Sequence, residues 1–133
     1  MSSEIKELNA ELDRIASAVA MPSGTLLFRC GDPVSGVFVI HRGAVTMYIE
    51  APGSPWLTKT LGPGDIAGLP AALTGTYSLS ARVSEDAELG FISASQVSAL
   101  LERSPHLCLV AARTMSDEIA RMRAGLRDAI PTH

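Results

Sequence analysis

The chain has 133 residues, 47% of them hydrophobic, and its 11 basic and 14 acidic residues give a formal net charge of -3. This length has room for one domain with an ordinary core that needs neither disulfides nor metal. The acidic balance argues against an overall attraction to nucleic-acid phosphates. The two cysteines, Cys30 and Cys108, lack C-x-x-C spacing, and there is no secretory signal or membrane-length apolar run, so we expect a cytoplasmic protein without a cofactor and away from membranes.

The first segment, residues 1–20, is predicted to be an amphipathic helix. Its apolar residues recur at three- and four-residue spacing, which places them on one helix face. The segment ends before Met21-Pro22-Ser23-Gly24, because proline disfavours helical backbone in the residue that precedes it. The residues of the apolar face are Ile5, Leu8, Leu12 and Ile15.

Residues 25–92 are predicted to form an all-β roll or barrel. Short runs rich in Val, Ile, Leu and Thr alternate there with clusters of glycine and proline at fairly regular intervals, which is typical of strands joined by tight turns. The predicted strands are Leu26–Cys30, Val37–His41, Ala44–Glu50, Leu57–Leu61, Ser78–Ser84 and Glu88–Ile92.

Helices are predicted to return over residues 93–130. Ser93 stands three residues before Gln96, which is the spacing of a capping box and predicts a short helix. Ser104-Pro105 places a capping hydroxyl before a proline at the first helical position, so a second, long helix begins there. One apolar stripe follows this helix through Cys108, Ala111, Met115, Ile119, Met122 and Leu126.

Three stretches between these helices carry a resemblance to a known family. Phe28–Pro33 is a predicted strand followed by a turn of glycine and an acidic residue. Val37–Val45 is a predicted hairpin that turns at a glycine, and Leu61–Gly68 has a Gly-Asp pair before a short helix. In this order they resemble the cyclic nucleotide-binding domain of the catabolite activator (Crp/Fnr) superfamily, and the likeness covers nearly the whole chain. It implies one domain over residues 1–133, mainly β with flanking helices: a β-roll of the double-stranded β-helix or jelly-roll type, an N-terminal helix, and a short plus a long C-terminal helix.

The resemblance also implies a ligand site at the family's phosphate-binding cassette, here Gly68 to Leu73. In the family, a glutamate holds the ribose hydroxyl and an arginine pairs with the phosphate. Gly68 matches the family glycine, but Leu69 stands where the glutamate is expected and Tyr77 where the arginine is expected. Charge-assisted hydrogen bonds are worth about 1.5–3 kcal/mol each, so we expect no cyclic AMP binding of the usual kind. The hypothesis of a weakened or different anion site is left open by the sequence.

Further candidate ligand residues follow from the same alignment. Ser78 matches a position that often carries a small or hydroxyl residue. Arg82 shares a strand face with Ser78 by alternation and could replace the missing cation, although a solvated arginine on the outer face is the simpler interpretation. Met122 and Arg123 lie where the long helix of the catabolite activator contacts its ligand. The candidate set is Gly68, Leu69, Pro70, Ala71, Tyr77, Ser78, Arg82, Met122 and Arg123.

No metal or catalytic site is predicted. A cupin-type metalloenzyme would share the rolled β architecture, but His41, His106 and His133 are isolated in the sequence, and there is no P-loop or G-x-S-x-G run. DNA-reading members of the superfamily continue into a helix-turn-helix after the long helix, whereas this sequence stops at Pro131-Thr132-His133, so we expect no direct DNA binding.

Two functional hypotheses remain open at this point. One is a regulatory sensor of a small-molecule effector, either a cyclic nucleotide or another anion. The other is a degenerate domain kept for dimerisation or for docking to a protein partner. The apolar stripe of the long helix packs most simply against the β-roll or against a second copy of the chain, as the corresponding helix does in dimeric family members, and we favour a homodimer.

Overall fold

The computed structural model describes residues 3–49, 56–113, 116 and 120. The elements are α1 (Ser3–Ile15), β1 (Ser17–Met21), β2 (Leu26–Phe28), β3 (Gly36–Ile49), β4 (Trp56–Leu61), β5 (Ile66–Ala67), α2 (Leu69–Thr74), β6 (Ser80–Ser93) and α3 (Ala94–Arg103). A further helix, α4, begins at Pro105 and is described as far as residue 113. Within these residues, the structure contains no helix that is both long and apolar enough to span a membrane.

All six strands belong to one antiparallel sheet, with the two long strands β3 and β6 at its centre. The order is β1-β6-β3-β4, and the short strands β2 and β5 pair with β6 and β3 respectively. The β3–β6 pairing runs from Gly36 opposite Ser93 to Tyr48 opposite Ser80, with register shifts around Arg42 and Ala44. Such irregularities bend a strand and increase its twist. The predicted fold class, a mainly β roll with flanking helices, is confirmed.

Two pairs of predicted strands are single strands in the structure. The prediction separated Val37–His41 from Ala44–Glu50 and ended another strand at Ser84, but β3 and β6 each run without interruption for 14 residues. Gly43 has a φ of 88° and lies within the register shift between Arg42 and Ala44. Glycine supplies the positive φ of a bulge as readily as that of a turn, so interpreting it as the end of a strand was wrong.

The N-terminal helix is shorter than the predicted 1–20. It ends at Ile15, and Ser17–Met21 forms strand β1, which pairs with β6 from Ser17 opposite Phe91 to Met21 opposite Ala87. The sheet therefore begins at residue 17 and not at residue 25. Tertiary contacts commonly override the helix propensity of a short segment. Here hydrogen bonding to the edge of β6 makes residues 17–21 a strand despite their local helical pattern.

Two apolar clusters share strand β3. Phe38 and Ile40 belong to the cluster inside the roll, whereas Val37 and Val39 belong to the cluster between the sheet and the helices. Successive residues of a strand point to opposite faces, so β3 is buried on both sides. The helical side of the second cluster is formed by Leu8 and Leu12 of α1, Leu69 of α2, Val97, Leu100 and Leu101 of α3, and Leu107, Val110 and Ala111 of α4.

The capping box predicted at Ser93 is present. The Ser93 hydroxyl accepts the Gln96 backbone N–H at 3.2 Å, and the Gln96 side-chain oxygen accepts the Ser93 N–H at 2.9 Å. Together these bonds satisfy two of the free donors at the start of α3. The α4 helix follows Ser104 as predicted, while the remainder of the predicted long helix, apart from residues 116 and 120, lies outside the described residues.

Replacing Gly43 with alanine tests the close approach of the two long strands. A Cβ atom at Gly43 would collide with the Asp86 carbonyl oxygen and lie 2.8 Å from Ala87 Cα, whereas Gly31, at φ 93°, has nothing within 4 Å. Gly31→Ala should therefore cost only the positive-φ penalty, about 1–2 kcal/mol, and Gly43→Ala should cost more. Urea unfolding measures both, and equal losses would contradict this account of the bulge.

Candidate functional site

The cassette helix α2 lies directly on two aromatic rings of the roll interior. Gly68 precedes it with a φ of 93°, and a proline occupies its first turn. A Cβ atom at Gly68 would lie 3.1 Å from Tyr77 Cε1 and 3.3 Å from Phe28 Cε2. Both the backbone conformation and the lack of space therefore favour glycine at the entrance to the cassette.

Tyr77 is a packed core residue beneath the cassette. It is 2% exposed, and its ring stacks on Phe28 with centroids 3.8 Å apart and planes 6° apart. Its hydroxyl donates to the Gly36 carbonyl oxygen at 2.6 Å and accepts the backbone N–H groups of Ser35 and Gly36, each at 3.2 Å. A phenolic hydroxyl has one proton to donate, so that proton is already committed within the fold.

The loop that carries Tyr77 is also fixed through its backbone. The Tyr77 N–H donates to the Asp32 carbonyl oxygen at 3.0 Å, and the Tyr77 carbonyl oxygen accepts the Gly31 N–H at 2.8 Å. The Val34 N–H donates to the Gly75 carbonyl oxygen at 2.9 Å. These bonds join the end of the cassette to the turn at residues 31–34, so the position of Tyr77 is defined by backbone as well as by side-chain contacts.

The first residues of α2 place uncharged side chains on both sides of the cassette. Leu69 is 3% exposed and belongs to the cluster between the sheet and the helices, whereas Ala71 belongs to the cluster inside the roll. Pro70 is buried as well. The structure thus brings Gly68, Ala71 and Tyr77 together at the roll interior and directs Leu69 toward the helices.

Ser78 and Arg82 lie farther along the chain on exposed positions. The Ser78 carbonyl oxygen accepts a hydrogen bond from the Cys30 thiol at 3.4 Å. Arg82 Nη1 donates to the Gly24 carbonyl oxygen at 2.8 Å, so its guanidinium holds the turn before β2. Ser80, two residues before Arg82, is buried, and its hydroxyl accepts a hydrogen bond from the Cys30 N–H at 2.9 Å. A phosphate-pairing role for Arg82 stays a prediction, as do the roles of Met122 and Arg123, which lie outside the described residues.

A groove that the sequence did not predict lies between α2, α3 and α4. We call it the helical groove, and its volume is about 810 Å³. Leu109, on its rim, is 63% exposed, a large apolar side chain adjacent to the predicted stripe and not part of it. The lining residues are Ala72, Leu73, Ser98, Leu101, Glu102, Pro105, His106, Cys108 and Leu109.

Two of the histidines pair with carboxylates of α1. His41 Nε2 lies 2.5 Å from Asp13 Oδ1, and His106 Nε2 lies 3.1 Å from Glu7 Oε2. All four side chains are substantially exposed, so each pair stabilises the fold only weakly. No group of three or more potential metal ligands is found in the described part of the chain.

Comparison with known proteins supports the family that the sequence resembles. The profile of the cyclic nucleotide-binding domain matches residues 18–104, about two thirds of the chain. Transcriptional activator protein Anr of Pseudomonas aeruginosa is 29% identical over 120 residues, which cover 90% of this chain and 49% of Anr. The chain therefore spans about half the length of that curated relative.

Solved structures show the same fold. The catabolite activator protein of Thermus thermophilus superposes with a TM-score of 0.73 at 22% identity, over 96% of this chain and 59% of that protein. A cyclic nucleotide-binding-like protein from Brucella abortus gives a TM-score of 0.59 at 26% identity, over 77% of this chain and 86% of that one. The likeness to the Thermus protein shows the fold alone.

Tyr77→Phe tests the structural role of the hydroxyl. The ring and its stacking on Phe28 are retained, but the Gly36 carbonyl oxygen and two N–H groups lose their partner. We expect the free energy of unfolding to fall by about 1–3 kcal/mol, measured by urea denaturation. Tyr48→Phe, at a buried tyrosine of β3 outside this network, should cost less, and an equal cost would argue against the network.

Proposed function

The chain belongs to the cyclic nucleotide-binding domain family, with a Crp/Fnr-like β-roll, and from this premise we propose that it is a regulatory domain whose cassette no longer recognises a cyclic phosphate. The observation that carries the proposal is Tyr77, at the position where the family resemblance places the phosphate-pairing arginine. Its ring is buried against Phe28, and its hydroxyl is bonded to Ser35 and Gly36. The Tyr77 hydroxyl is neutral and already donates its proton within the fold, so it provides no positive charge to bind an anion.

The second anchor of the family is replaced in a similar way. Leu69, at the position of the ribose-binding glutamate, is buried in the cluster between the sheet and the helices. Two missing charge-assisted hydrogen bonds of about 1.5–3 kcal/mol each would weaken a dissociation constant by about two to four orders of magnitude. A dissociation constant of about 1 μM would thus become about 0.1 to 10 mM.

We propose that the regulatory output passes through protein contacts, with no catalytic step. The Pseudomonas relative is named a transcriptional activator, which supports a role in regulation. Exposed Leu109 at the start of α4 supports self-association through α4. Cys30 and Cys108 are free thiols, in accord with a reducing cytoplasm.

Thermal unfolding with cyclic AMP and cyclic GMP at millimolar concentration tests the loss of nucleotide recognition. We expect no change in Tm. A ligand present at 100 times its dissociation constant would stabilise the fold by about 2.7 kcal/mol, which raises Tm by several degrees in a domain of this size.

A clear rise in Tm would overturn the proposal and support the alternative, a nucleotide sensor with a different anion contact. Arg82→Gln would then show whether Arg82 supplies that contact, because this variant removes the cation while Tyr77 and the cassette stay unchanged. Loss of the rise in Arg82→Gln would assign the role to Arg82.

Sedimentation equilibrium of the full chain tests the proposed self-association independently of nucleotide. We expect a species of twice the 14.0 kDa chain mass. A chain that stays monomeric at about 100 μM has a dimer dissociation constant well above that concentration, which would contradict a homodimer as the output.

A further inference from the structure

We propose that strand β1 is a docking edge for an extended segment of a partner protein, which pairs with β1 as an additional strand and places a basic side chain near Glu88. The inference rests on the proposed regulatory output through protein contacts and names a surface for one such contact. It does not require self-association through α4, which involves other elements of the fold.

The edge of β1 that faces away from β6 has no partner strand among the described residues. There, β1 pairs only with β6, in an antiparallel register from Ser17 opposite Phe91 to Met21 opposite Ala87. In such a pair only every second residue directs its N–H and C=O groups toward the partner strand. Two or three of the five residues of β1 therefore direct theirs away from β6, where a further strand can bond to them.

The sequence of β1 lacks the features that commonly block such pairing. Exposed edges are usually protected by charged side chains, by proline or by bulges. Residues 17–21 are Ser-Ala-Val-Ala-Met, with neither a charge nor a proline before Pro22, and their register with β6 shows no shift. Ser17, Ala18 and Ala20 are exposed. Because the strand is short, an added strand gains few backbone bonds and needs a side-chain contact for specificity.

A cavity of about 500 Å³ at the end of β1 provides a place for that contact, and we call it the edge pocket. Its charged side chains are two carboxylates, Asp86 and Glu88, and one guanidinium, Arg42. Arg42 Nη1 lies 3.5 Å from Glu88 Oε2, and the Glu88 side chain is still 57% exposed. Asp86 Oδ1 accepts a hydrogen bond from the Ser23 N–H at 2.8 Å. The excess of negative charge favours a basic group, and the other lining residues are Ala20, Met21, Pro22 and Ala87.

The strand register determines which residue of the added strand reaches the edge pocket. Ala20 lies opposite Glu88, and residues directly opposite each other point to the same face of a sheet. The residue of the added strand opposite Ala20 therefore faces the same side as Glu88, two strand spacings or about 9–10 Å away. A lysine there can meet the Glu88 carboxylate, because Ala20 contributes only a methyl group between them. The geometry thus specifies an extended segment with a basic residue opposite Ala20.

An NMR titration of the isotope-labelled full chain with two synthetic peptides tests the docking edge. Each peptide has about seven residues of alternating valine and threonine, with a central lysine in one and a central glutamate in the other. Individual amide signals report binding with dissociation constants as weak as about 1 mM. We expect the lysine peptide to shift the amide signals of β1 and Glu88, to slow hydrogen exchange at the outward amides of β1, and to bind about fivefold more tightly than the glutamate peptide.

A charge reversal at Glu88 tests the contact with the basic residue. Glu88→Lys changes the edge pocket from one net negative to one net positive charge, so the glutamate peptide should now bind about fivefold more tightly than the lysine peptide. Glu85→Lys, at an exposed carboxylate of the same strand outside the edge pocket, is the matched control and should keep the wild-type preference. Circular dichroism and urea unfolding establish that both variants remain folded. An unchanged preference in Glu88→Lys would overturn the proposed contact.

The outcomes separate this inference from the other proposals. If both peptides leave the β1 amide signals unchanged at millimolar concentration, the docking edge is wrong, while the Tm measurement still decides nucleotide recognition and sedimentation still decides the homodimer. Protection of every β1 amide in the free chain would also overturn the inference, because the edge would then already be paired. Shifts of the β1 signals on dilution without peptide would replace the partner segment with a second copy of the chain, and so overturn it too.

Discussion

The pairing of β3 with β6 is the contact on which the other elements depend. The two 14-residue strands run side by side, β1 and β2 attach to β6, and β4 and β5 attach to β3. Because β3 is buried on both faces, Phe38 and Ile40 order the roll interior while Val37 and Val39 provide the floor for the helices. Each layer is therefore positioned by the same strand.

The first residue of that strand also connects it to the cassette. The Gly36 carbonyl oxygen accepts a hydrogen bond from the Tyr77 hydroxyl, and the Gly36 N–H donates one to the same hydroxyl. Tyr77 in turn stacks on Phe28 and supports Gly68. A charged residue at position 77 would have to leave this buried site or bring a counter-ion into it, so the packing of the roll interior favours an uncharged residue there.

Local patterns predicted most of the architecture but not its junctions. The capping box at Ser93 depends on neighbouring residues, so the sequence was sufficient to predict it. Gly43 signalled a positive φ, but whether that φ belongs to a turn or a bulge depends on β6, which follows 37 or more residues later in the chain. At the candidate site, the sequence named Leu69 and Tyr77 but not their surroundings in the fold. The burial of Tyr77 and the groove beside Leu109 arise from distant elements meeting in space.

Helix α1 is held in place largely by residues that are distant from it in the sequence. Its polar contacts reach His41, Gly64 and His106, separated from it by 28, 55 and 99 residues, and Leu8 and Leu12 bury against strands and helices that lie later in the chain. Contacts of such long range form late, because the intervening chain must first be ordered. During synthesis the first helix is therefore made long before its docking site exists, and until α3 and α4 emerge its apolar face stays open to chaperones or to a neighbouring nascent chain.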